Sequence, residues 1–217
     1  MIVNHRYKFI FVKTRKTAGT SLECALSKYC DHKDILTNFH DNNEELERTS
    51  RGYQGANPYP GLEAHAQACQ IKEKLPNIWE DYTKFTIVRD PLQYAISEFY
   101  WAKHNNIDPV TQDTPNDFDL WSHRRLKAGS SDNWWIYTIK HKPCMDFYVR
   151  YEQLHEDLTK LSKVLDLPGD LGIEIKEFKC KANIRNNISP KMTQQTKDNI
   201  YKWAGAEVEF LEQLKSI

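Results

Sequence analysis

Tyr7-Lys8-Phe9-Ile10-Phe11-Val12-Lys13-Thr14-Arg15-Lys16-Thr17-Ala18-Gly19-Thr20-Ser21-Leu22 is the stretch from which the fold can be read. Residues 7–13 combine β-branched and aromatic side chains around a continuous apolar centre, the pattern of a strand buried on both faces. Leu22, Ala25, Leu26 and Tyr29 then recur at helical spacing and predict a helix of about three turns with one apolar stripe. The connecting segment is built for an anion. Ala18 and Gly19 let main-chain N–H groups come close, Thr20 and Ser21 add hydroxyls, and the helix start contributes its positive end. A strand, a P-loop-like loop and a helix in that order open an α/β fold.

The same order returns twice. Lys84 to Arg89 predicts a second strand, and Asp90-Pro91 predicts a helix start with Asp as N-cap and Pro at the first helical position. Leu92, Ala95, Ile96 and Phe99, with the stem of Lys103, form that helix's inner stripe, and Ser97 falls on its polar flank. Met145 to Arg150 predicts a third strand, followed by a helix with Leu154, Leu158, Leu161 and Leu165 on one face and a stop at Leu167-Pro168-Gly169. The expectation is one α/β domain over residues 1–217, with a central parallel sheet flanked by helices.

Other segments are less patterned. Residues 31–61 are polar and rich in Gly, Pro and Asn, and read as a long loop with one short strand. From Glu63 a helix is predicted through Ala64, Ala68, Ile71 and Leu75, with His65 in its first turn and Pro76-Asn77 as its stop. Aromatic helical segments are expected over Phe118 to Leu126 and Trp134 to Ile139, and a last helical region from Ser189-Pro190 onward, with Gly205 as a break.

Thirty basic and thirty acidic residues balance among 217, so net charge supplies no pull toward nucleic acid or an anionic membrane, and any anion site must be local. No apolar run approaches the roughly 20 residues that span a bilayer, and the first residues lack the pattern of a secretory leader. The five cysteines are scattered and form no CxxC pair, which argues against a disulfide framework or a structural zinc site and fits a reducing cytoplasm.

In open α/β sheets ligands bind outside the carboxyl ends of strands, which predicts that Lys16–Ser21 and Arg89–Ser97 share one sheet edge. A Walker A loop would read GxxxxGK[ST], whereas here the lysine precedes Gly19 and no strand ends in an acidic residue free to hold Mg²⁺. A P-loop kinase is therefore disfavoured. An anion held by Lys and Arg without a metal is the better fit.

These residues resemble the sulfotransferases that use 3′-phosphoadenosine 5′-phosphosulfate (PAPS), in particular the bacterial, phage and carbohydrate-type members. RKTAGTSLE after an apolar strand is similar to the family's 5′-phosphosulfate loop, usually written PKTAGTS. FTIVRDPLQYAISEFYW resembles its 3′-phosphate segment, in which a strand-ending arginine is followed eight residues later by a serine, here Arg89 and Ser97. DFYVRYEQLHEDLTKLSKVLDLP resembles a third stretch, written RYExLxxDxxxLxxxLGLP. Arg15 departs from the usual proline, and either adds a charge beside the phosphosulfate or faces solvent.

The resemblance implies that Arg15, Lys16, Thr17, Ala18, Gly19, Thr20 and Ser21 hold the phosphosulfate, with Lys16 also catalytic at the leaving oxygen. It implies that Arg89 and Ser97 hold the 3′-phosphate, and that the late basic run containing Lys181 and Arg185 helps there. It calls for a base between the two phosphate segments. His65 is the candidate, its ordinary pKa near 6.5 suiting base chemistry at neutral pH, with Glu63 second and Glu23 third. The acceptor implied is a small molecule or glycan with a hydroxyl or amine, and Trp134-Trp135 either lines its site or belongs to the core. The rival from another class is a protein that binds adenosine 3′,5′-bisphosphate without transferring sulfate.

Overall fold

The computed structural model describes residues 1–39, 42–108, 112, 114–129, 132–178, 180 and 189–215. In chain order the strands are β1 (Ile2–Asn4), β2 (Phe9–Phe11), β3 (Ile35–Leu36), β4 (Thr83–Val88), β5 (Thr138–Ile139), β6 (Lys142–Pro143) and β7 (Phe147–Arg150). The helices are α1 (Gly19–Ser27), α2 (Asn42–Thr49), α3 (Ala68–Lys74), α4 (Pro76–Asp81), α5 (Pro91–His104), α6 (Phe118–Lys127), α7 (Leu154–Val164), α8 (Leu171–Glu174), α9 (Gln194–Trp203) and α10 (Gly205–Lys215).

The class is α/β, with helices around a five-stranded central sheet ordered β3-β1-β2-β4-β7. The parallel part is β2-β4-β7, with Phe11 opposite Phe85 and Phe85 opposite Phe147. β1 runs antiparallel to both β2 and β3, so the sheet is mixed where an all-parallel one was expected. The cause is local. The turn over residues 5–8 includes left-handed Lys8, at φ 49°, and folds β1 back on β2 as a hairpin.

The chain divides into two compact units. The first comprises Met1–Val88 and Trp135–Cys180, and holds the central sheet. Its core brings Phe9, Phe11, Phe85, Ile87 and Val149 of the strands against Leu22 and Leu26 of α1, Leu158 and Leu161 of α7, and Leu171 of α8. The rings of Phe11 and Phe85 stack at 5.1 Å. Each fully buried leucine contributes roughly 1.5–3 kcal/mol through the apolar area it removes from water. The second unit comprises the described residues within Arg89–Trp134 and Lys181–Ile217. Its core is Ala95, Ile96 and Phe99 of α5, Phe118 and Trp121 of α6 and Ile200 of α9.

Several boundaries differ from expectation for identifiable reasons. α2 lies in the stretch expected to be loop; its inward side chains, Glu44 and Arg48, are charged, so no apolar stripe announces it. Pro76 opens α4 instead of only closing the preceding helix, because the first helical position needs no N–H. Residues 134–136 form a turn that leads into β5, not a helix. On α5, Ala102 is buried while Lys103 is exposed.

The third family-like stretch has a structural role. Arg150, ending β7, donates from Nε and Nη2 to Asp157 of α7 at 2.8 Å each, and its main-chain N–H adds a bond at 3.0 Å. Burial opposes ionisation of Asp157, but the bonds and charge of Arg150 hold its carboxyl below the usual range. The fork ties strand to helix.

All five cysteines are free thiols. Cys24 and Cys180, far apart in sequence, bring their sulfurs to 4.0 Å.

Candidate active site

In the first unit the loop after β2 is braced against β4. The Thr14 hydroxyl donates to the Ile87 carbonyl at 2.5 Å, which uses its one proton, so the Thr17 hydroxyl is the donor in their 2.9 Å contact. Thr17 thus holds the loop together and is almost fully buried. Lys16 and Ala18 take left-handed φ values of 57° and 61°, the kind of backbone from which anion-binding concavities of N–H groups are built. α1 then starts without a side-chain cap and without an acidic residue in its first turn. Its first N–H groups lack intrahelical partners, as in any helix, and present a positive end to an anion. Arg15, Lys16, Ala18 and Thr20 are half-buried, and Gly19 and Ser21 are buried.

Beneath the loop sits an ion pair. Lys13 Nζ lies 2.5 Å from Glu23 Oε2, and the Met1 amino group lies 2.5 Å from Glu23 Oε1. Burial raises the cost of charging Glu23, yet Lys13 and the Met1 amino group overcome it and lower its pKa to about 2. Both carboxylate oxygens of Glu23 are thereby engaged, one by Lys13 and one by the Met1 amino group.

His65 lies in the turn before α3, not in its first turn. Its Nδ1 is 2.9 Å from the carbonyl oxygen of Lys13. A carbonyl only accepts, so Nδ1 carries the proton and Nε2 keeps the lone pair in the neutral ring. Burial, and then the charge of Lys13, lower its pKa to about 3, in place of the unperturbed value expected from sequence. The ring is neutral at physiological pH. Glu63, two residues away, is exposed.

The half-buried Arg15 has its guanidinium over the Trp135 ring, 5.3 Å from the centroid. Trp135 is 38% exposed, so this indole presents part of its surface to water.

In the second unit, Arg89 follows β4 directly and is buried. Asp90 caps α5 by accepting from the main-chain N–H of Gln93 at 2.9 Å, as the Asp-Pro signal predicted. Tyr201 of α9 donates its hydroxyl to Asp90 Oδ2 at 3.1 Å. Burial and Asp90 raise the pKa of Tyr201 to about 12, so the phenol keeps its proton. Ser97 stands two turns along α5, half-buried.

A family model described as "Sulfotransferase family" matches residues 1–214. The chain belongs to the sulfotransferase family. Searches of curated proteins and of solved structures return no match. Membership makes the chain a transferase of sulfuryl groups, and the loop described above is where its P-loop-like segment folds. Among the described residues of this sulfotransferase no group of three His, Cys, Asp or Glu side chains is arranged to hold a metal ion. No described helix is long and apolar enough to cross a membrane. Lys181 and Arg185 lie outside the described residues.

Lys13, Thr14 and Tyr201 were not singled out from sequence. Lys13 reads there as the polar end of a strand, and only the fold shows it buried against Glu23. One signal was available: glycine at position 19, where a Cβ would lie 2.9 Å from Lys13 Cγ, leaves room for the lysine stem.

Proposed function

We propose that this sulfotransferase works as one catalytic domain that moves the sulfuryl group of PAPS to a hydroxyl or amine of a small-molecule or glycan acceptor. The observation that carries the proposal is the loop itself: two left-handed residues, Lys16 and Ala18, followed by an uncapped helix start at Gly19. That donor set fits a phosphosulfate, whose charge is spread over several oxygens and needs no metal to be neutralised. When bound, PAPS supplies a sulfuryl group on a bisphosphate leaving group.

The chain's own residues divide the remaining work. Main-chain N–H groups of Ala18 to Ser21 and the hydroxyl of Thr20 bind the 5′ end. Lys16 places its ammonium where charge develops on the leaving oxygen, a contribution on the order of 3 kcal/mol when judged by lost rate. Arg89 and Ser97 take the 3′-phosphate, the guanidinium as a fork and the hydroxyl as a single donor. His65 takes the acceptor proton at Nε2, because its other nitrogen is committed to Lys13. A bound anion offsets the positive charge of Lys13 and Arg15 around the ring, so nucleotide binding raises the basicity of His65 toward the range a base needs. Trp135, stacked by Arg15, offers an aromatic face to the acceptor.

The test is calorimetric titration with adenosine 3′,5′-bisphosphate, adenosine 5′-monophosphate, and ATP with Mg²⁺. Binding of the bisphosphate in preference to both others is expected, and Arg89→Ala should abolish its advantage over the monophosphate. Equal or tighter binding of ATP with Mg²⁺ would overturn the donor assignment.

A further inference from the structure

Lys13 and Glu23 carry opposite charges into the interior, where desolvation opposes both, and neither contacts a reacting atom in the scheme above. Three contacts of Lys13 meet at one place. Its Nζ is held by Glu23 at 2.5 Å, its stem fills the space above Gly19, and its carbonyl oxygen accepts Nδ1–H of His65 at 2.9 Å. The preceding residue is fixed from the other side: Val12 N–H donates to Phe85 at 2.9 Å, and the Val12 carbonyl accepts the Thr86 hydroxyl at 2.7 Å. A main-chain carbonyl anchored by a strand partner and by a buried charge pair has little freedom to turn away from the imidazole.

We propose that Lys13 and Glu23 are positioning residues for His65: the pair locks the carbonyl that selects the Nδ1–H tautomer and keeps a positive charge beside the ring, so that Nε2 meets the acceptor without a proton. The proposal rests on His65 being the base. The charged groups that face the ring are Lys13 from the end of β2, the Met1 amino group from β1 and Arg15 from the loop, with Glu23 of α1 bonded to the first two. Burial lowers the pKa of the Met1 amino group to about 6, so at neutral pH Lys13 and Arg15 are the standing cations against one carboxylate, and protonating the ring adds a like charge to the cluster.

Imidazole ¹⁵N shifts of His65, followed through a pH titration, read tautomer and protonation without any acceptor. In the wild-type protein the Nδ1–H tautomer is expected, neutral well below the midpoint of an exposed histidine. Lys13→Met retains the carbonyl and most of the stem, so it should keep the tautomer while raising the midpoint by at least about one pH unit, a tenfold gain in proton affinity. Glu23→Gln should lower kcat on the order of tenfold or more with little change in KM for the donor, as expected when a reacting group drifts. An Nε2–H tautomer in the wild type, or an unmoved midpoint in Lys13→Met, would overturn the proposal. If Lys13→Met does not fold, Lys13→Met/Glu23→Gln removes both members of the pair, leaves the Met1 amino group, whose pKa burial lowers to about 6, beside a neutral amide, and carries the same titration. Full turnover in His65→Ala would instead sink the base assignment, whatever the ¹⁵N shifts show about Lys13.

Discussion

At the scale of single residues, the site depends on small clearances and on where one proton sits. Gly19 shows the first. A Cβ there would stand 2.9 Å from Cγ and 3.2 Å from Cε of Lys13, and Cγ is too near the main chain for the lysine to swing aside without leaving Glu23. Gly19→Ala is therefore expected to cost about 1–3 kcal/mol by overpacking. It should also weaken binding of adenosine 3′,5′-bisphosphate; chemical denaturation and calorimetry on the same sample check both, and an unchanged affinity would show that the lysine stem does not shape the loop. His65 shows the second, since the Lys13 carbonyl assigns its proton. The loop's place between a strand and a helix was legible in sequence because Lys16 to Ser21 form one short run between two patterned segments. The Lys13–Glu23 pair was not: two charges ten residues apart look like solvated side chains until a strand and a helix bring them inside.

At the scale of elements, legibility followed how much of an element's pattern lies in its own sequence. Helix α7 carries its apolar stripe and β4 its β-branched and aromatic run Phe85 to Val88, and both appear within a residue or two of expectation. β1 has three residues and β3 two, and both are held by pairing with a neighbour more than by any period of their own. The start of α5 was legible because a cap is a local device. Asp90 accepts from the main-chain N–H of Gln93, and the structure adds a second duty, as acceptor for the Tyr201 hydroxyl. Asp90→Ala thus removes a cap, at about 1 kcal/mol, and leaves a partly buried phenol without its acceptor. Asp90→Asn keeps an oxygen for both bonds and should recover most of the loss. The check is the difference between the two variants in urea unfolding, and equal losses would mean that charge at the helix start, not capping, is what matters.

At the scale of the whole molecule, the two units are expected to respond differently to acid, because their buried titratable groups shift in opposite directions. In the first unit Glu23 has its pKa lowered to about 2, so its stabilisation is complete above the unfolded value of 4.5 and is lost as pH falls toward 2. His65 stays neutral in the folded unit down to about 3, while its unfolded form takes up a proton near 6.5, so stability also drains away across that interval as pH falls. Asp157, held down by Arg150 against its burial, acts in the same direction. In the second unit Asp132 behaves oppositely: burial raises it from 3.8 to about 6, so the folded form binds the proton first and acidification through that window favours folding. Asp119 of that unit is lowered by its bond to Thr196 but faces solvent, where such pairs contribute little. The expected outcome is that, as pH falls from 6.5 toward 4, amide protection is lost first in residues 1–39, 42–88 and 135–178, and later in residues 89–108 and 114–129. Hydrogen exchange read by peptide mass spectrometry follows the two sets separately. Simultaneous loss of protection in both would mean that the two units unfold as one cooperative body and that the opposite titration of Asp132 does not set the order.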